Sequence, residues 1–341
     1  MGWQHPPKIV QIDITSRCNL ACRHCRASVL DTSMADLSLD QITSLMTDIH
    51  SLSPHAALAV AGGEPLMRPD LKEIFYFIQN DLSGMNIELL SNATLIDQGN
   101  IGWLTDTVRG FNISMEGATP LVHDAVRGRG TFKRTVQALK LLVEEGATVA
   151  VRMTYFHQGE DEPENLMRFI QDLGIGMFNF RYLVPVGRAS EKEVDADQYR
   201  RLSERIWDVG RELGIKVGYS DPFPELLVNE KRKKEIDDNM DLLEGVAVTG
   251  CSIAFTLLYI TPQGTVELCP YFPIFVADTL KEELKKIWYE NELLNQFRYS
   301  RSVLEGKCGN CTYKFACGGC RGAASAMGNF LGEDPRCWMK V

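Results

Sequence analysis

Three observations predict an α/β fold with a small cysteine-rich appendage. Short β-rich runs alternate with amphipathic stretches through roughly the first 220 residues, and the alternation then gives way to a charged stretch containing Pro222 and Pro224. Ten cysteines sit at the two ends of the chain, three within residues 18–25 and seven within 251–337. Strand–helix alternation implies a parallel sheet covered by helices, either open or closed into a barrel, with chemistry gathered at the carboxyl ends of the strands. The 341 residues divide accordingly into an α/β unit over 1–220, a connector over 221–249 and a small domain over 250–341.

The elements follow in order. "KIVQIDIT" (8–15) reads as the first strand, followed by a cysteine loop and a helix at "SLDQITSLMTDIHSL" (38–52). "ALAVAGG" (57–63) is a second strand and "RPDLKEIFYFIQN" (68–80) a helix; "MNIELLSN" (85–92) and "FNISMEG" (111–117) are further strands. "GTFKRTVQALKLLVEEG" (130–146) predicts a helix with Phe132, Val136, Leu139 and Val143 on its apolar face and Gly146 as its stop. "TVAVRMTYF" (148–156) and "MFNFRYLVP" (177–185) are strands separated by a helix at "EPENLMRFIQDLG" (162–174), and "YRRLSERIWDVGRELG" (199–214) closes the series. Beyond Gly250 the chain reads as short strands and turns, a hairpin at Gln263-Gly264, and one helix at "KEELKKIWYENELLNQF" (281–297).

Composition narrows the function. The start, "MGWQHPPKIVQIDIT", lacks a basic region followed by an apolar run, and the longest apolar runs are too short to span a bilayer. A cytoplasmic protein without membrane partners is expected. The net charge of −9 argues against a nucleic-acid partner. The basic run Lys231–Lys234, flanked by Glu230 and Glu235, reads as a solvated helix face. In a reducing compartment, cysteines at ligand-like spacing point to metal or redox chemistry rather than disulfides.

Cys18, Cys22 and Cys25 form a C-x₃-C-x₂-C triplet with no fourth cysteine near. Three thiolates can hold three irons of a [4Fe–4S] cluster and leave the fourth open; zinc with a distant fourth ligand is the alternative. The triplet follows a strand and carries the aromatic His24 before its last cysteine, and it resembles the signature of the radical S-adenosylmethionine (SAM) superfamily. The resemblance implies a partial (β/α)₆ barrel, with SAM on the open iron as source of a 5′-deoxyadenosyl radical that abstracts a substrate hydrogen. It also implies a flavodoxin or ferredoxin as reductant.

Further positions carry the resemblance along the barrel. Gly62, Gly63, Glu64 and Pro65 after the second strand resemble the family motif that holds the methionyl amine. Ser91 and Asn92 at the end of the third strand, and Ser114 and Glu116 at the end of the fourth, stand where relatives contact the cofactor; many relatives have Asp in place of Glu116. Arg152 is a candidate partner for the cofactor carboxylate, and Val184 stands where the family packs backbone against adenine. Catalytic candidates at the open end are Tyr155, His157, Arg181 and Tyr182.

The other seven cysteines, Cys251, Cys269, Cys308, Cys311, Cys317, Cys320 and Cys337, with Gly264 ahead of Cys269, resemble a SPASM domain. Cys317 and Cys320 are separated by two residues where the family pattern has three. By resemblance, Cys308, Cys311, Cys317 and Cys337 hold a distal auxiliary cluster, and Cys251, Cys269 and Cys320 a nearer one. Two cubanes need eight thiolates, so one cluster has an open or non-cysteine position or is smaller. A zinc-ribbon-like module is the structural alternative.

The resemblance implies oxidative modification of the substrate, foremost maturation of a ribosomally made peptide or other natural product. The alternative is removal of carboxylates or side chains from a tetrapyrrole in haem or haem d₁ synthesis, to which "CRAS" (25–28) and "CGGCRGAASAMGNFLGEDPRC" (317–337) bear a likeness. The barrel starts near residue 8, which leaves no room in this sequence for an N-terminal peptide-recognition domain; a separate protein can supply one. An electron-transfer or structural metalloprotein is the non-enzyme reading.

Overall fold

The computed structural model describes residues 4–29, 33–156, 158–189, 195–238 and 250–341. Seven strands alternate with helices: β1 (Ile9–Asp13), β2 (Ala57–Ala61), β3 (Asn86–Ser91), β4 (Val108–Ser114), β5 (Val149–Tyr155), β6 (Met177–Tyr182) and β7 (Lys216–Tyr219). All seven pair in parallel with their neighbours in sequence order, the curved sheet of a partial barrel. The sequence reading stops at six strands. The seventh, Lys216–Tyr219, is only four residues long and none of them is fully buried, so it carries little hydrophobic pattern.

The intervening helices are α1 (Leu39–Leu52), α2 (Leu71–Asp81), α3 (Ile101–Thr107), α4 (Pro120–Arg127), α5 (Thr131–Glu144), α6 (Glu162–Asp172) and α7 (Ala196–Leu213). Helix α1 starts where Ser38 and Gln41 cap each other reciprocally, so two orphan backbone donors are satisfied at once. Helix α5 differs from expectation. Its buried residues are Thr131, Thr135, Ala138, Leu139 and Leu142, while Phe132, Val136 and Val143 flank the core only half-buried. The apolar stripe read from the sequence is therefore rotated by about one position: the buried Thr131 hydroxyl donates to Gly128 O (2.7 Å) at the end of α4, and that of Thr135 to Asn92 O (3.1 Å) after β3.

The C-terminal segment does not stand apart from the barrel sheet. Strand β8 (Leu257–Ile260) pairs in parallel with β1, and β9 (Thr265–Cys269) and β10 (Phe272–Asp278) continue antiparallel, giving ten strands in the order β10-β9-β8-β1 through β7. Gly264, at φ +81°, makes the β8–β9 turn expected at Gln263-Gly264. The connector holds two short helices, α8 (Pro224–Val228) and α9 (Glu230–Asp237), and Lys231, Lys233 and Lys234 sit on the exposed or half-exposed surface of α9. The single helix expected over 281–297 is two, α10 (Leu284–Glu290) and α11 (Glu292–Tyr299), because the Asn291 side chain caps the Leu294 N–H and starts a new helix. Short helices α12 (Gly306–Asn310) and α13 (Arg321–Ala326) complete the cysteine-rich end.

Candidate active site

The carboxyl ends of β1–β6 open on a cleft of about 980 Å³. Cys18, Cys22 and Cys25 enter it from the loop after β1. That loop is strapped to the β2 turn by backbone bonds from Gly63 N–H to Thr15 O (2.9 Å) and from Glu64 N–H to Arg17 O (2.8 Å). A Cβ on Gly63 would overlap the Arg17 carbonyl, so only glycine lets the two loops close together. Burial pushes the Cys18 thiol up to about 11 and raises Cys22. Such groups become thiolates when a metal replaces the proton.

Strand alternation decides which expected residues reach the cleft. His24, Gly62, Gly63, Ser91, Asn92, Ser114, Arg152, Arg181 and Val184 all line it. So do Asn112 and Thr154, two residues away from Ser114 and Arg152 on the same strand faces; period-two reading of β4 and β5 would have found both. Tyr155 and Tyr182 do not line it. They point to the other face of the sheet, with ring centroids 5.5 Å apart, and the Tyr182 hydroxyl donates to Gln198 Oε1 at 2.9 Å. His157 lies outside the described residues.

Glu64, Pro65 and Glu116 also stand behind the cleft wall rather than in it. Glu64 is 1 % exposed, and its carboxylate accepts from Ser91 Oγ–H (2.7 Å) and Asn92 N–H (2.8 Å), fixing the β3 turn. Burial nonetheless raises its pKa. Glu116 is wholly buried and accepts from Arg127 Nη2–H (2.6 Å) and Thr154 N–H (2.9 Å), with His24 Nε2 at 3.2 Å. Burial opposes its ionisation, but His24 and Arg127 outweigh that and hold it down at about 2.

The far wall is cationic. Arg26 is paired with Asp13 (2.8 Å at both oxygens) and Arg127 with Glu116, whereas Arg152 makes no ion pair with a carboxylate among the described residues. Arg181 stacks its guanidinium 4.1 Å from the Tyr271 ring centre, donates to Ser220 O (2.7 Å), and has Nε and Nη1 buried without hydrogen-bond partners. Its ion pair to Asp221, at 3.6 Å, is shared with Arg336, which sits 3.0 Å from the same oxygen. Burial would raise the Tyr271 phenol, yet Arg181, Arg152 and Arg26 together bring it below its ordinary value. No acidic side chain is among the described lining residues. Nothing in the sequence near Tyr271 marks it; the hairpin after Cys269 carries it in.

At the C-terminal end, Cys308, Cys311, Cys317 and Cys337 line one cavity of about 320 Å³. Backbone N–H groups of Tyr313 and Gly319 point at the Cys311 and Cys317 sulfurs (3.4 Å each), and Asp334 N–H and Arg321 Nη2 at that of Cys308 (3.4 and 3.7 Å). Cys251, Cys269 and Cys320 lie within electrostatic reach of one another on the barrel side. Among the described residues no three Cys, His, Asp or Glu side chains could grip a single metal ion. Donors aimed at sulfur and a cavity ringed by four thiols fit a bulkier iron–sulfur group.

Comparison with known proteins agrees with this arrangement. Residues 12–170 match the model of the radical SAM superfamily, and residues 251–312 that of the SPASM iron–sulfur cluster-binding domain. The chain belongs to the radical SAM superfamily. It is a radical SAM enzyme with a C-terminal SPASM domain, and it is 28% identical over 339 residues to an AdoMet-dependent heme synthase of Methanosarcina barkeri, covering 97% of this chain and 96% of that protein. The antilisterial bacteriocin subtilosin biosynthesis protein AlbA of Bacillus subtilis is 24% identical over 327 residues, 92% of this chain and 67% of AlbA. The fold matches that of Streptococcus suis SuiB bound to its precursor peptide SuiA, with a TM-score of 0.79 at 17% identity over 98% of this chain and 76% of SuiB. Among the described residues no helix is long and apolar enough to cross a membrane.

Proposed function

We propose that this radical SAM enzyme oxidatively decarboxylates propionate side chains of a tetrapyrrole. The observation that carries the reading is the far wall of the cleft: among the described residues Arg152 makes no ion pair with a carboxylate, and Arg181, beside Tyr271, has Nε and Nη1 buried without hydrogen-bond partners. The cofactor carboxylate answers Arg152 and leaves the two Arg181 donors, which a substrate carboxylate would satisfy. Three relatives named AdoMet-dependent heme synthase support it, matched over 96%, 87% and 92% of their lengths. Peptide maturation, the leading reading from the sequence, is the second, supported by AlbA and by the mycofactocin maturase MftC, 27% identical over 95% of this chain.

In this reading Cys18, Cys22 and Cys25 hold the cluster that binds SAM. Gly62 and Gly63 present backbone to the methionyl amine, with Ser91, Asn92 and Ser114 beside it. Arg152 takes the methionyl carboxylate, Val184 borders adenine, and His24 is held by Glu116. Cys308, Cys311, Cys317 and Cys337 form one auxiliary ligand set; Cys251, Cys269 and Cys320 form another. When bound, these groups supply the 5′-deoxyadenosyl radical and an acceptor for one electron. The hydrogen atom leaves a propionate carbon, carbon dioxide and one electron follow, and a vinyl group remains. Arg181 and Tyr271 hold the substrate carboxylates against the far wall, and a flavodoxin or ferredoxin supplies the reducing electron.

The test is anaerobic incubation of the reconstituted, reduced enzyme with SAM and an iron tetrapyrrole bearing propionates. Carbon dioxide and a vinyl product should appear together with 5′-deoxyadenosine. Deoxyadenosine without either, alongside modification of a Cys-rich precursor peptide, would overturn the decarboxylase reading in favour of the second.

A further inference from the structure

Arg127, the last residue of α4, makes more contacts than an ion pair with Glu116 requires. Its Nε and Nη2 lie 3.1 and 2.6 Å from the same carboxylate oxygen of Glu116, while the third nitrogen, Nη1, is 3.9 Å from Cys22 Sγ. The guanidinium therefore stands between a buried carboxylate and a cysteine of the triplet. It is held there from both sides. Helix α4 begins at a Thr119 cap and ends at Gly128 (φ +113°), and the Arg23 N–H donates to Val126 O at 3.0 Å, tying the cysteine loop to the last turn of the helix. The other Glu116 oxygen is fixed by the Thr154 N–H, so the carboxylate cannot swing away with its partner.

A cation beside a thiolate ligand stabilises the reduced, more negative state of an iron–sulfur group, because hydrogen bonds to sulfur and nearby charge set the potential. The site is nearly closed to solvent, with Arg127 and Glu116 side chains 11 % and 0 % exposed, so water does not screen the contact. We propose that Arg127 is a positioning residue that raises the reduction potential of the group held by Cys18, Cys22 and Cys25, and that Glu116 aims it. The role does not depend on the substrate.

The test is an anaerobic redox titration of the reconstituted holoenzyme by electron paramagnetic resonance, following the reduced signal that changes on addition of SAM. Arg127→Met should make that centre at least tenfold harder to reduce, a shift of 59 mV to lower potential for a one-electron couple. Arg127→Lys, which keeps the charge, should stay much nearer to wild type. Because Arg127→Met leaves Glu116 buried and unpaired, Glu116→Gln/Arg127→Met is measured beside it and should show a smaller lowering of the same sign. A midpoint unchanged in either loaded variant overturns the proposal. So does a double variant that fails to load iron at the triplet while Arg127→Lys loads normally, since the guanidinium would then serve assembly rather than potential.

Discussion

Replacing Arg336 by Met would loosen the seam between the cysteine-rich end and the β6–β7 side of the sheet. Arg336 is 0 % exposed; it forms an ion pair with Asp221 Oδ1 (3.0 Å) and donates hydrogen bonds to Asp334 Oδ1 (3.1 Å), Asp334 Oδ2 (3.2 Å) and Tyr182 O (3.1 Å). Asp334 in turn accepts the Cys320 N–H (2.8 Å), and Asp221 accepts from Tyr199 Oη–H (2.7 Å). With Arg181 the group holds two cations and two carboxylates, all buried. Arg336→Met leaves one buried carboxylate in excess, and breaking a buried pair in this way costs about 3–5 kcal/mol. At a tenfold change per ~1.4 kcal/mol, amide protection in segments 181–184, 220–223 and 318–322 should fall by roughly 10²- to 4 × 10³-fold in hydrogen exchange. Adding Asp334→Asn restores the charge balance and should recover much of that protection. A fall below tenfold in the single variant, or no recovery in the double, would refute the view that this network binds the two parts together.

Other outcomes follow from single residues. Gly63→Ala forces the cysteine loop off the β2 turn, at a cost of about 1–3 kcal/mol, so SAM affinity measured by calorimetry should weaken by about tenfold or more. Cys308→Ala/Cys311→Ala should still form 5′-deoxyadenosine but little substrate-derived product; wild-type product formation by a folded variant would make the small domain merely structural. His123 is buried, with Nε2 unpartnered, and burial, followed by the nearby Arg127, pulls it down from 6.5 to about 4. The unfolded chain therefore binds the proton first. His123's contribution is complete above pH 6.5 and is lost as pH falls toward 4, by about 3 kcal/mol at most. Thermal unfolding of His123→Asn between pH 5 and 7 should be less pH-dependent than wild type.

The order of strands and helices was readable from the sequence because each element carries its own hydrophobic period, and the cysteine triplet and the Gly62-Gly63 turn because short-range spacing carries their chemistry. The faces of α5 and the split of α10 from α11 were not, since neighbouring packing and one Asn291 cap decide them. Which side of a strand meets the cleft depends on register, so Arg181 reaches it while Tyr155 and Tyr182 turn to the opposite face. Charge pairing depends on the tertiary structure most of all. Arg26, Arg127 and Arg336 find carboxylates 13, 11 and 115 positions away, and Arg152 finds none among the described residues. A sequence records that these charges exist; only the folded chain sets which of them cancel, because cancellation requires ångström proximity out of water.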